Sequence, residues 1–147
     1  MIKTLSLLFI VPAVFAADRF SKMAVLGRLA DGENIPLTFF FHLTRVNNTG
    51  AAFGLFRDSR ILLAVTSALC VTLLCVMIIR RQSNLSFVAS SMILGGALGN
   101  LYDRLSYGYV VDFLDLRIWP VFNIADSAIS IGIGLVLLDL LLKRKQG

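Results

Sequence analysis

Two neighbouring stretches, Val110-Val111-Asp112-Phe113 and Phe122-Asn123-Ile124-Ala125-Asp126, decide how the chain is read. Each sets a carboxylate among apolar residues, and the second opens an apolar run that continues to Leu142. An ionised side chain at the centre of a bilayer-spanning helix costs about 2.5–3.5 kcal/mol on insertion scales, and less near the interface, so such a residue points to function. Asp112 alternates with Val111 and Phe113 in a segment expected to be extended, which turns its side chain opposite to theirs. Asn123, Asp126, Ser127 and Ser130 share one face of the helix that follows, and Pro120 suits its start. The expectation is an aspartate pair at a membrane surface.

Composition supports a membrane chain. Of 147 residues, 57% are hydrophobic and only 16% charged, and the mean hydropathy of +0.81 is far above that of a soluble domain. The net charge of +5 is spread over chain ends and loops rather than gathered in a basic, aromatic-interleaved patch, so nucleic acid is not an expected partner. Membrane lipids are. Cys70 and Cys75 stand five apart in one apolar segment and read as inert core residues, while the lone His42 reads as a hydrogen-bonded structural histidine.

Outward from the aspartates, the pattern gives an all-α membrane protein of four transmembrane helices, at about 4–26, 61–79, 85–102 and 121–142. A small extramembrane, β-containing insert at about 27–60 joins the first two, and residues 1–147 form one domain. The first apolar run also has the form of a secretory signal, with small residues at Ala16-Ala17. Its helical pattern, however, continues through Phe20, Met23, Ala24 and Leu26. Asp18 and Lys22 lie at i and i+4, and spacing alone reads as an interfacial ion pair worth a few tenths of a kcal/mol. In the insert, residues 35–46 read as one or two strands, and Asn48 with Gly50 as a turn or as small and polar groups beside a bound chain. In the third span Gly95 and Gly99 form a small-xxx-small pair, while Gly96, Asn100, Asp103 and Arg104 make a polar stripe. Asp139 reads as an anchor paired with Lys143. Four helices put both chain ends on one side of the membrane, and Asp18, the insert, Asp103, Arg104, Asp112 and Asp126 near the other. Basic residues at both faces leave orientation undecided by charge.

Two carboxylates close together in a low-dielectric site cannot both ionise, so one keeps its proton while the other acts as a base. That arrangement suits hydrolysis, with the base activating water and the acid protonating the leaving group. Alternatives are a lipid phosphotransferase with Asp103, Asp112, Asp115 and Asp126 on magnesium and Arg104 on phosphate, a transporter or proton relay using Asp126, and a structural subunit.

Five blocks in order resemble the signatures of the lipoprotein signal peptidase (signal peptidase II) family. They are Asp18-Arg19-Phe20-Ser21-Lys22, Asn48-Thr49-Gly50-Ala51-Ala52-Phe53, the run from Gly95 to Arg104, Val110 to Phe113, and Phe122 to Asp126. The resemblance implies an intramembrane aspartic endopeptidase that cuts prolipoproteins just before a cysteine carrying a diacylglyceryl group. It implies no metal and no cofactor. Asp112 and Asp126 would be the catalytic pair. Asn48, Gly50, Asn100, Arg104 and Asn123 would hold the substrate backbone or orient the aspartates, with Gly96 grouped beside them, and Asp18 and Lys22 would support the site. Arg19 and Ser21 stand where the family usually has Gln and Thr. The resemblance further implies the bacterial inner membrane, cytoplasmic termini and an active site near the periplasmic face. A monomer is expected.

Overall fold

The computed structural model of the chain describes residues 6–49, 65, 68, 71, 72 and 83–144. A π-helical turn, Ser6–Ile10, runs into helix α1, Val11–Leu26. Strands β1, Asn34–Pro36, and β2, His42–Asn48, follow. Helix α2 is Asn84–Tyr107, β3 is Val110–Asp115, and α3 is Ile124–Arg144. The chain is thus mostly helical with one small sheet. Helices α2 and α3 are long and apolar enough to cross a membrane. The expected span at 61–79, with both cysteines, lies largely outside the described residues; Val65, Ala68, Val71 and Thr72 are helical.

Small residues set the helix packing. A Cβ on Gly95 would meet the Val11 carbonyl oxygen and the Val14 Cβ at 2.9 Å each, and one on Gly99 would meet Asp18 Oδ2 at 2.5 Å. The small-xxx-small pair therefore seats α1, as close backbone approach requires. Gly96, one step round the helix, faces α3 instead, where a Cβ would meet the Ala125 carbonyl oxygen at 2.5 Å. Its place is a packing contact beside the site.

The sheet is antiparallel in the order β1-β2-β3, with Asn48 opposite Val110, Val46 opposite Asp112 and His42 opposite Asp115. Asn48 thus ends a strand rather than making a turn. His42 Nδ1 lies 2.9 Å from Asn34 Oδ1, the structural pairing expected of it. Helix α2 ends at Gly108, whose φ of 79° is the left-handed conformation that glycine adopts without strain, and its N–H bonds the Arg104 carbonyl at 3.1 Å. That stop releases the chain into β3 two residues later. Val111 and Phe113 pack with Val25, against Leu26, Leu43 and Ile124. Asp112, out of phase with them, turns the other way, as alternation requires.

The last helix begins at Ile124, later than Pro120 suggests. Phe122 is used first: its N–H bonds the Leu114 carbonyl at 3.0 Å and its carbonyl accepts from Leu114 N–H at 2.7 Å. The chain returns along β3 before it turns helical.

Candidate active site

Asn123 caps α3. Its Oδ1 accepts from Asp126 N–H at 2.9 Å, and its own N–H donates to Asp126 Oδ2 at 3.3 Å. This reciprocal pair is a capping box with aspartate in the third helical position, so the contact that starts the helix also aims Asp126. The Asn123 side-chain amide donates to Asp112 Oδ1 at 2.7 Å. One residue therefore ties the two aspartates together.

Each carboxylate has a second amide. Asn48 Nδ2 donates to Asp112 Oδ2 at 2.9 Å, and Asn100 Nδ2 donates to Asp126 Oδ1 at 2.8 Å. A cavity of about 330 Å³ brings together Asn48, Asn100, Arg104, Asp112 and Asp126, with Trp119 and Phe122 on its wall. Asn123 is fully buried behind it. Burial pushes the Asp112 carboxyl up to about 7; the charge of Asp126 adds to this, while the amides of Asn48 and Asn123 and the Lys22 ammonium oppose it.

Asp18 and Lys22 are not an interfacial pair. Both are fully buried, with Lys22 Nζ 2.7 Å from Asp18 Oδ2, 2.9 Å from Asp103 Oδ2 and 2.9 Å from Asn100 Oδ1. The i,i+4 spacing correctly placed them on one face; it could not reveal that α2 covers that face. Asp18 Oδ1 accepts from Ala125 N–H at 3.0 Å, next to Asp126, and Asp103 Oδ2 accepts from Val111 N–H at 3.2 Å, next to Asp112. Lys22 thus reaches Asp126 through one amide, and its two acidic partners hold the backbone beside each aspartate.

Sequence reading put Asp103 on the converging polar face without giving it a role in the site, and gave Arg19 none. Arg19 pairs with Asp103 Oδ1, donates to the Tyr107 hydroxyl at 3.2 Å and lies 4.3 Å over the Tyr102 ring. The available signal was an acid and a base on two apolar helices, neither with a local partner to satisfy it. Asp115 is committed elsewhere, accepting from Thr44 Oγ1 and Arg117 N–H at 2.8 Å each. Asp139 is the anchor expected, 2.7 Å from Lys143 Nζ. Gly50 lies outside the described residues. The four acids of the magnesium alternative do not converge: Asp103 joins the ion cluster, Asp115 the loop, and among the described residues no metal-ligating group of three assembles.

Residues 10–142 match the family described as Signal peptidase (SPase) II. Lipoprotein signal peptidase of Halothermothrix orenii is 42% identical, over 94% of this chain and 97% of that one. That of Caulobacter vibrioides is 46% identical over 88% and 82%. A solved bacterial membrane enzyme superposes with a TM-score of 0.88 at 29% identity, covering 95% of this chain and 89% of its own. The chain therefore belongs to the signal peptidase II family, that of the lipoprotein signal peptidases.

Proposed function

We propose that this protease is an intramembrane aspartic endopeptidase that cuts prolipoproteins just before the diacylglyceryl-modified cysteine, with Asp112 and Asp126 as its catalytic pair. The observation that carries the reading is the cavity where both carboxylates meet, bridged by Asn123, with Asp112 holding a proton near neutral pH. Asp126 then takes a proton from water as its oxygen attacks the scissile carbonyl. Asp112 polarises that carbonyl and delivers its proton to the departing amide nitrogen. Water is consumed and one peptide bond becomes a carboxyl and an amine.

The substrate's signal segment is an apolar helix, whose amides are already hydrogen-bonded and must be freed before attack. Asn48, Asn100 and Arg104 line the cavity at the height where freed groups need partners. We place four spans in the inner membrane, termini in the cytoplasm and the cavity near the periplasmic face, in a monomer. Purified protein in detergent should cut a diacylated prolipoprotein peptide before the lipidated cysteine, with or without chelator. Absence of cleavage, or cleavage abolished by chelator, overturns the reading.

A further inference from the structure

One cation of the buried cluster reaches further than its ion pair. Arg19 lies one turn along α1 from Phe15, and the two side chains continue onto α2 as a ladder. Phe15 meets the Tyr102 ring edge-on with centroids 6.1 Å apart, and the Arg19 guanidinium lies 4.3 Å from the Tyr102 centroid and 5.7 Å from that of Tyr107. Such contacts hold a cation against ring faces. Arg19 also donates to the Tyr107 hydroxyl at 3.2 Å. Tyr107 stacks on Tyr109 at 5.8 Å, across the glycine that ends α2, and Tyr109 packs on the core formed by Val25, Val111 and Phe113. The other arm of the guanidinium takes Asp103 Oδ1, while Asp103 Oδ2 accepts from Val111 N–H at 3.2 Å. Arg19 therefore grips both the tyrosine before the turn into β3 and the carboxylate that holds the backbone next to Asp112.

The same residue sets a charge balance. Around Arg19 stand Asp103, Tyr102 and Tyr107 from α2, with Tyr109 behind Tyr107, and Asp18 and Lys22 from its own helix. Around Asp112 stand Asp126 from α3, Arg104 from α2 and Lys22 from α1, while β2 presents the neutral Asn48. With Arg19 the cluster carries no net charge. Without it, Asp103 would leave one negative charge unbalanced beside Val111, in a region where salt screens little. That charge would favour the protonated form of Asp112, which burial and Asp126 already favour. A guanidinium cannot lose its proton in a protein, so it is a fixed counter-charge.

We infer that Arg19 is a positioning residue for the proposed acid: it fixes the turn that delivers Asp112 and supplies the counter-charge that keeps Asp103 from acting on it. The inference rests on the assignment of Asp112 as the acid. An acid serves best when its proton is released near the working pH, and Arg19 holds it there from outside the reacting groups.

The test uses the purified full chain in detergent. Arg19→Gln keeps an amide donor and removes the charge, so the alkaline limb of kcat/KM should move upward by on the order of half a pH unit, as one charge acting across a protein interior would do. Asp103→Asn removes the opposite charge and should move the limb downward. The double variant should bring it back to the parental position. Independently of turnover, the infrared band of the protonated Asp112 carboxyl, identified by its loss in Asp112→Asn, should titrate in the same pattern. A lowered rate with an unmoved limb in both single variants makes the pair structural only and overturns the inference. Limbs that move the same way in both, or that fail to return in the double variant, overturn it as well. Infrared titrations that follow the pattern in a protein that cuts no lipopeptide support the counter-charge and sink the peptidase reading instead.

Discussion

Two groups of carboxylates lie next to each other in this molecule and are handled in opposite ways. In the ion cluster, Asp18 and Asp103 face Lys22 and Arg19, two acids against two bases, in a region closed to solvent. In the cavity, Asp112 and Asp126 line one space, and among the described residues they accept hydrogen bonds from the neutral amides of Asn48, Asn100 and Asn123 and the backbone of Asn123. Charge met by charge gives fixed geometry. Charge met by amides leaves a pair that must divide a proton, which is what acid and base work needs. The first group holds the second in place, through Asn100, Ala125 and Val111.

The largest break in this comparison comes from the cavity. Asp112→Asn and Asp126→Asn should each lower kcat for the lipopeptide by about 10²–10⁴-fold, as expected when a positioned acid or base is lost, with little change in Tm. Asp115→Asn, tied to Thr44 and Arg117, should keep near-parental turnover; if it is the inactive variant, the wrong carboxylate has been assigned.

The cluster should fail in the other way. Lys22→Met removes the cation paired with buried Asp18 and leaves Asp103 to Arg19, and should cost about 3–5 kcal/mol, read as a lower Tm in detergent. An unchanged Tm would show that the cluster holds nothing. Gly99→Ala is a milder version, since the added Cβ would fall 2.5 Å from Asp18 Oδ2; a loss of about 1–3 kcal/mol is expected from overpacking.

The smallest effect is a shift in pH. Asp112 must carry its proton to serve as the acid, and its carboxyl stands at about 7, so kcat/KM should fall as pH rises through that value. Asn48 favours the ionised form by donating to it. Asn48→Ala should therefore raise the Asp112 pKa and move the alkaline limb upward. Movement downward would place the acid elsewhere.

What could be read without coordinates followed local rules. Alternation set Asp112 against Val111 and Phe113, and the small-xxx-small pair announced a close helix contact. Residues 35–46 showed strand character, although the strand extends on to Asn48. Harder to see was anything requiring a second element to cover the first. Spacing put Asp18 and Lys22 together but suggested a weak surface pair; only α2, admitted closely by Gly99, makes them part of the site. The polar stripe of the third span was one face in sequence. In the fold it divides, with Gly96 against α3, Asp103 in the cluster, Arg104 on the cavity and Asn100 between Lys22 and Asp126.

The box that opens α3 carries one further consequence. Because Asp126 is held by the same asparagine whose backbone it caps, its aim cannot drift without fraying the first turn of that helix. A tight-binding inhibitor that grips this carboxylate would leave resistance few routes, since a mutation that displaces the target atom also disrupts the segment carrying it. Escape variants should arise around the entrance, at side chains such as Trp119, rather than at the aspartate or its asparagine.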